Sequence, residues 1–361
     1  MKVCFFLQSL GTGGAERTAA YLANYGVNHG YEVDVVIYGI QEYDLDEKVK
    51  VFNIGELNEK NNIFNRIKKI KARRKKFVEY CKSEKPDIIF NMLFRPIIYT
   101  IGIKNRPCVI TSERSNPRWL KSKAKKLMRK YLLSNVDAMI LQTNKAKEFY
   151  KNIKCDKVVI PNAIGNPEVY NTTAEIGKEN KICAVGRLCE EKDYPTLFKA
   201  MQIVLEKKPD LKLEIYGKGA LDESLKSLVN EMGLSESIIF MGNHKDVMKK
   251  ISTSHCFVMT SISEGMPNAL MEAMAIGLPS ISTDYGNGVE DVITDGENGL
   301  VVKAGDYQGV ADAILKFIDD KTFAKKCGKA ASKFKETNHV DYISQKYYDY
   351  FEKVVNEHKS K

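Results

Sequence analysis

No Cys-x-x-Cys pair occurs among the eight cysteines, and their spacing shows no paired framework. That excludes a small fold stapled by disulfides. Cys4, Cys183 and Cys256 sit instead inside apolar runs, where cysteine acts as a small buried hydrophobe and fits a reducing compartment. The five histidines are scattered, and no cluster has metal-ligand spacing, so no essential metal is expected. No stretch approaches the roughly 20 apolar residues of a membrane-spanning helix. The opening Met1-Lys-Val-Cys-Phe-Phe-Leu7 is too short for a signal peptide and runs into a glycine turn, so it reads as a buried strand. Internal repeats and low-complexity segments are also lacking. The expected location is the cytoplasm, with attachment to the inner face of the cell membrane as an extension of that reading.

What is present is a chain of 361 residues with 43% hydrophobic content, enough for two domains with real cores. The net charge of +10 is unevenly placed. Residues 1–165 hold 31 Lys+Arg against 16 Asp+Glu, whereas residues 166–361 hold 25 against 30. The whole basic excess belongs to the first half, which points to an anionic partner there. Two stretches concentrate it. Residues 66–76 carry eight basic residues in eleven and no acid, with Ile63, Ile67, Ile70 and Phe77 at helical spacing. Residues 118–130 carry seven in thirteen, with Leu120, Ala124, Leu127 and Tyr131 on one face. Each stretch, 63–77 and 118–131, reads either as a helix lying on anionic lipid or as a core-packing helix with a solvated charged face.

Apolar runs alternate with amphipathic segments, which predicts an α/β architecture with parallel sheets. Strands are expected at 3–7, 33–38, 87–90, 108–112, 137–141 and 157–160, then at 181–186, 211–216, 237–241, 255–259, 279–283 and 299–302. The boundary is expected near 170. That gives two doubly wound, Rossmann-like domains, 1–170 and 171–338, facing a cleft. The segment 339–361 contains a helix with Val340, Ile343, Tyr347, Tyr350 or Phe351, and Val354 at helical spacing.

Candidate chemistry lies mostly after predicted strands, where ligands bind in such sheets. Glu264 sits in a Gly/Pro loop after the apolar run Cys256–Met259. Glu272 lies one turn into a helix opened by Pro267, on a face shared with Asn268. The pair suits a ligand with hydroxyls at both ends and phosphate between, such as a nucleotide sugar; first-turn and loop surface charges are the plainer alternative. Arg187 and Lys192, five apart after a strand, offer a fork and a point charge for a diphosphate, or are two solvated cations. The Gly11-Thr-Gly13-Gly14 loop joins a strand to a helix and either cradles an oxyanion or is a plain turn. Its glycine spacing is not that of a dinucleotide fingerprint.

The segment holding Glu264, Gly265, Met266, Pro267, Asn268 and Glu272 resembles the donor-site signature of the retaining GT-B glycosyltransferases classed as GT4: a glutamate, seven residues, then a glutamate. Gly186-Arg187 with Lys192, the turn at Gly217, the late Asp295-Gly296-Glu297-Asn298-Gly299 turn and the Gly11–Arg17 loop are similar to that family as well. The resemblance runs from Lys2 to about residue 320. It implies a GT-B fold and a donor site in the second domain. Glu264 would contact the donor sugar and Glu272 the ribose, and Arg187 and Lys192 would hold the diphosphate. Gly186, Gly217, Gly265, Met266, Pro267 and Asn268 would line that donor site. Gly13 and Gly14 would serve a diphosphate or acceptor loop. The terminal helix would pack back onto the first domain. Many members carry a histidine near the reacting sugar; the counterpart here, Thr111-Ser-Glu113-Arg114-Ser-Asn-Pro117, has none. Glu113 and Arg114 are then the acceptor-side candidates.

The implied activity is transfer of a hexosyl or N-acetylhexosaminyl group, with retention, from a nucleotide-sugar donor, expected to be UDP-linked. The acceptor would be a lipid-linked or polysaccharide chain in surface-glycan synthesis, and no cofactor would be needed. Asp44-Leu-Asp46 spells the two-aspartate pattern of some metal-dependent glycosyltransferases, but it lies among Glu42 and Glu47 and reads as a solvated loop. A sugar-nucleotide epimerase or a phosphorylase could use the same fold. A nucleic-acid-binding protein is disfavoured, because no aromatic residue interrupts 66–76 and no reading module occurs.

Overall fold

The computed structural model describes residues 1–11, 13–55, 63–103, 105–118, 120 and 122–360, and the side chains of 63–66 are not among those described. Thr12 of the glycine loop, Trp119 and Lys121 of the second basic stretch, and the side chains of Ile63 and Arg66 therefore lie outside the described residues.

The chain divides into two compact units: unit 1 comprises Met1–Ala163 with Val340–Lys361, and unit 2 comprises Ile164–His339. The boundary precedes the one expected near 170. The short helix Pro167–Tyr170 belongs to unit 2, where the Glu168 carboxylate accepts the Lys249 N–H at 2.9 Å.

Unit 1 holds strands β1 (Lys2–Phe6), β2 (Glu32–Ile37), β3 (Lys50–Asn53), β4 (Ile88–Met92), β5 (Cys108–Glu113), β6 (Ala138–Leu141) and β7 (Asp156–Val159). They form one parallel sheet in the order β3-β2-β1-β4-β5-β6-β7. Its helices are α1 (Gly14–Asn28), α2 (Ile63–Glu84), α3 (Lys123–Leu133) and α4 (Asn144–Phe149). Unit 2 holds α5 (Pro167–Tyr170), β8 (Lys181–Val185), α6 (Tyr194–Lys207), β9 (Lys212–Tyr216), α7 (Asp222–Glu231), β10 (Ile238–Gly242), α8 (Val247–Ile251), β11 (Phe257–Met259), α9 (Asn268–Ala275), β12 (Ser280–Thr283), β13 (Leu300–Val302), α10 (Tyr307–Asp319), α11 (Lys321–Ala331) and α12 (Phe334–Thr337). Its parallel sheet runs β10-β9-β8-β11-β12-β13.

Parallel strands covered on both faces need apolar side chains in nearly every position. β4 (Ile88-Ile-Phe-Asn-Met92) is buried throughout, as is β6. Twelve of the strands follow the predicted runs closely. β3 was not predicted, because Lys50-Val-Phe-Asn53 is a polar-ended edge strand that is mostly exposed.

The final helix, α13 (Val340–Lys359), covers one face of the unit 1 sheet. Ile343, Tyr347, Tyr348 and Phe351 are buried there, Phe351 stands 5.0 Å from the Phe90 ring centroid, and the Tyr348 hydroxyl donates to the Leu22 carbonyl at 2.9 Å. Burial of an aromatic side chain of this kind is worth about 1.5–3 kcal/mol.

Candidate active site

In unit 2 the strand order reverses between β8 and β11: β9 and β10 lie to one side, β12 and β13 to the other. Loops leaving two such neighbours diverge and open a crevice at their carboxyl ends. Gly186 and Arg187 leave β8 there, and Thr260–Gly265 leave β11.

Backbone and side chain stitch these loops together. Glu190–Lys192 make a single tight turn, and Asp193 follows with a left-handed φ of 45°. The Thr260 hydroxyl donates to the carbonyls of Lys192 (3.1 Å) and Asp193 (3.0 Å), and the Ile262 N–H donates to the Glu191 carbonyl at 2.9 Å. This fixes Lys192 against the exit of β11. Lys192 Nζ then donates to Glu264 Oε1 at 2.7 Å, with both side chains only about 15% exposed (15% and 16%). The Ser261 hydroxyl donates to the same oxygen at 2.8 Å. Among the described residues, Glu264 Oε2 takes no hydrogen bond. The Glu264 backbone is clamped too: buried Asn287 donates through Nδ2 to the carbonyls of Glu264 (3.2 Å) and Gly265 (3.1 Å).

Sequence reasoning missed Ser261, Thr260 and Asn287. The available signal for Asn287 was its place between two glycines just after β12, the strand beside β11.

The other predicted donor-site residues also lie in unit 2. Arg187 is exposed at the end of β8, and with Lys192 it helps hold the Glu191 carboxyl below its usual range, after the hydrogen bonds from the Glu191 N–H and the Cys189 thiol. Pro267 caps α9, Met266 and Pro267 are buried, and Gly265 and Asn268 are half-buried. Glu272 is buried at 6% exposure, one turn into α9. Gly217 has a structural reason of its own. With φ at 139°, a Cβ there would lie 2.0 Å from the Gly186 carbonyl oxygen, so the loops after β8 and β9 meet backbone to backbone. The Gly186 N–H donates to Tyr216 O at 2.9 Å across the same contact.

Unit 1 places its candidates differently. Gly13 is the N-cap of α1, and the Glu16 carboxylate folds back over it, so that a Cβ on Gly13 would stand 2.2 Å from Glu16 Oε2. Glu16 is the third helical residue, the place from which an acid reaches back to a helix start. Gly13 and Gly14 themselves are exposed, with the Glu16 carboxylate beside Gly13.

Glu113 and Arg114, the acceptor-side candidates, are both engaged by the fold of unit 1. Glu113 ends β5 with its side chain turned inward and 2% exposed, accepting from the Tyr150 hydroxyl at 2.9 Å. Burial pushes its carboxyl pKa up, against the Tyr150 bond and the Arg129 charge. Arg114 donates to Thr18 Oγ1 at 2.8 Å, to Tyr347 Oη at 3.2 Å and to Asn162 Oδ1. It ties α1, α13 and the segment after β7 to the sheet, and its donors are already committed to the fold.

Asp46 accepts the Lys48 N–H at 3.0 Å and serves a turn, as expected for a loop. One group of ligand-type side chains escaped the sequence reading: Cys108, Asp137 and His358 place one candidate ligand atom each within 4.8 Å of one another. Arg106 bridges the Asp137 carboxylate, which also accepts the Val109 N–H at 2.7 Å, while His358 stands 3.4 Å away. Asp137 therefore ties β5 to α13. Among the described residues, no helix is long and apolar enough to cross a membrane.

Solved structures share this architecture over nearly the whole chain. Sucrose-phosphate synthase from Thermosynechococcus elongatus matches with a TM-score of 0.84 at 16% identity, covering 99% of this chain and 100% of that one. HepE of Anabaena, in complex with UDP-glucose, matches with a TM-score of 0.79 at 16% identity, covering 98% of this chain and 100% of that one. The fold is the two-domain, Rossmann-like GT-B type.

Residues 12–165 match the family model "Glycosyltransferase Family 4", and residues 166–334 match "Glycosyl transferases group 1". The GalNAc-alpha-(1->4)-GalNAc-alpha-(1->3)-diNAcBac-PP-undecaprenol alpha-1,4-N-acetyl-D-galactosaminyltransferase of Campylobacter jejuni is 27% identical over 99% of each chain. The protein belongs to the GT4-like glycosyltransferases.

Proposed function

We propose that this protein transfers a hexosyl or N-acetylhexosaminyl group, with retention, from a UDP-linked donor to a lipid-linked or polysaccharide acceptor in surface-glycan synthesis. The carrying observation is the Lys192–Glu264 pair at 2.7 Å, held at the switch point of the unit 2 sheet. A cation for the diphosphate and a carboxylate for the sugar belong side by side, because the bond that breaks lies between those two groups. Lys192 and exposed Arg187 would offset the negative charge that grows on the leaving diphosphate. They supply that charge without a metal ion, so chelators should leave turnover unchanged. Glu264 Oε2 would accept from a sugar hydroxyl, and Glu272 would take the ribose.

The acceptor is assigned to unit 1 and to the cytoplasmic face of a membrane. Support comes from the Campylobacter relative, whose name gives an undecaprenol-linked acceptor. A UDP donor is supported by the solved relative bound to UDP-glucose.

The test is a melting-temperature panel with UDP, GDP, ADP and their sugar conjugates, on the wild type and on Glu272→Ala. Ligand at about a hundred times its Kd adds roughly 2.7 kcal/mol of stability. A shift confined to uridine nucleotides and abolished in Glu272→Ala is expected; no shift with any nucleotide would overturn the donor site.

A further inference from the structure

The two basic stretches, alike in sequence, are oriented oppositely. In α2, Phe77 and Tyr80 are buried and Ile70 packs against the same core, so most of its apolar face turns inward. Two of its cations serve the fold: Arg73 lies 4.7 Å from the Tyr38 ring centroid, and Arg74 donates to the Ile101 carbonyl at 2.5 Å.

In α3 the predicted stripe points away from the protein. Leu127 is 70% exposed, Tyr131 60% and Met128 43%, with Ala124 exposed beside them. These positions recur at i, i+3, i+4 and i+7 and form one continuous ridge. The core-facing side of α3 is a different set, Arg129, Leu132 and Leu133. Arg129 spends its charge inward, donating to the Pro117 carbonyl at 3.0 Å and standing over the Phe149 and Tyr150 rings.

Lysines flank the ridge. Lys123, Lys126 and Lys130 lie along one edge and Lys125 along the other, all exposed, and among the described residues none of them makes an ion pair. No Asp or Glu occurs from Arg114 to Val136. A monomer's solvated helix face would carry mixed charge and few large apolar groups. An apolar ridge between rows of unpaired lysines is what an interfacial helix presents: the ridge enters the headgroup region, and the lysine stems reach to anionic phosphates.

We infer that the outward face of α3 docks on an anionic phospholipid bilayer, with Leu127, Met128 and Tyr131 inserted and Lys123, Lys125, Lys126 and Lys130 on the headgroups. This rests on the reading of a lipid-linked acceptor and adds to it the surface that brings the enzyme to that acceptor. Charge complementarity selects the occupant, since an acid-free cationic rim fits a continuous negative surface. In α2 most of the described apolar side chains turn inward instead.

The test is flotation of the full chain with phosphatidylcholine vesicles, alone or carrying phosphatidylglycerol, at low and high salt. Binding to the anionic vesicles, weakened by salt, is expected. Each lysine removed should weaken it about fivefold, and Lys123, Lys126 and Lys130→Gln together on the order of a hundredfold. Leu127→Ser with Tyr131→Ser should abolish it, while Ile67→Ser in α2 leaves it unchanged. Equal binding to neutral and anionic vesicles, no binding, or binding indifferent to these variants would overturn the inference. So would a self-association of the protein that the α3 variants abolish without any lipid binding. Melting temperatures with and without UDP are measured on the same variants. A retained UDP shift with no vesicle binding removes the docking surface alone; vesicle binding with no nucleotide shift removes the donor site and leaves the surface.

Discussion

Charged side chains stand just beyond the strand ends of both sheets, but they are employed differently. In unit 1, Arg114 gives its donors to three side chains of the fold, and Glu113 is sealed under Tyr150. In unit 2, Glu264 receives two bonds on one oxygen and keeps the other available, while Arg187 remains exposed. A charged residue after a strand is therefore a poor guide to a site by its position. What separates the two sets is how much hydrogen-bonding capacity the fold has already consumed.

The sharpest way to break this comparison is Lys192→Ala. Removing one preorganised donor to developing negative charge costs roughly 10²–10³ in kcat. Turnover should fall by that much with little change in Tm; near-normal turnover would put Lys192 with the structural set. Arg114→Ala should do the reverse. It leaves partners from three elements unsatisfied, at about 2–4 kcal/mol of stability by urea denaturation, while the nucleotide-induced shift of unit 2 persists.

Glu264→Gln sharpens the contrast further. It lowers turnover, yet it releases Lys192 from an ion pair worth up to about 1 kcal/mol. A nucleoside diphosphate should then bind about two- to fivefold more tightly, read by calorimetry. Weaker binding would show that Glu264 supports the nucleotide itself rather than the sugar.

The smallest effect is a pH slope. Burial raises the Glu113 pKa in the folded protein, so the folded state holds its proton more tightly than the unfolded chain. Its contribution is fully present below the ordinary carboxylate pKa near 4.5 and is lost as pH rises from there. Glu113→Gln should match the wild type in Tm near that lower limit and exceed it at neutral pH. Identical profiles would mean that Glu113 is not desolvated.

Much of this was legible in the chain. Parallel strands buried on both faces must be written as apolar runs, so β4, β5, β6 and β8 announced themselves, and Pro267 marked the start of α9. β3 did not, because an edge strand needs no apolar run. The Lys192–Glu264 pair was invisible as a contact, since 72 residues separate its members and only the strand order brings their loops together. Glu113 was singled out as standing in the counterpart of the family's histidine segment, and its burial was not foreseen. Alternation along β5 puts Glu113 on the side of Val109, a core residue, and that was the overlooked signal. The ridge on α3 was seen but not its direction. An apolar stripe normally turns inward, and the residues that do so, Leu132 and Leu133, lie just past the basic run.

The return of α13 to unit 1 has a consequence for how the protein is made. Residues 1–163 precede unit 2 in the chain, but the part of their sheet face that α13 covers, around Phe5 and Phe90, lacks its cover until Tyr347 and Phe351 emerge. All of unit 2 is synthesised in the interval and can close its own core while the earlier half still waits. Of the two units, the one begun earlier is thus the later to be finished, and a nascent chain stalled before residue 351 leaves part of an aromatic core exposed.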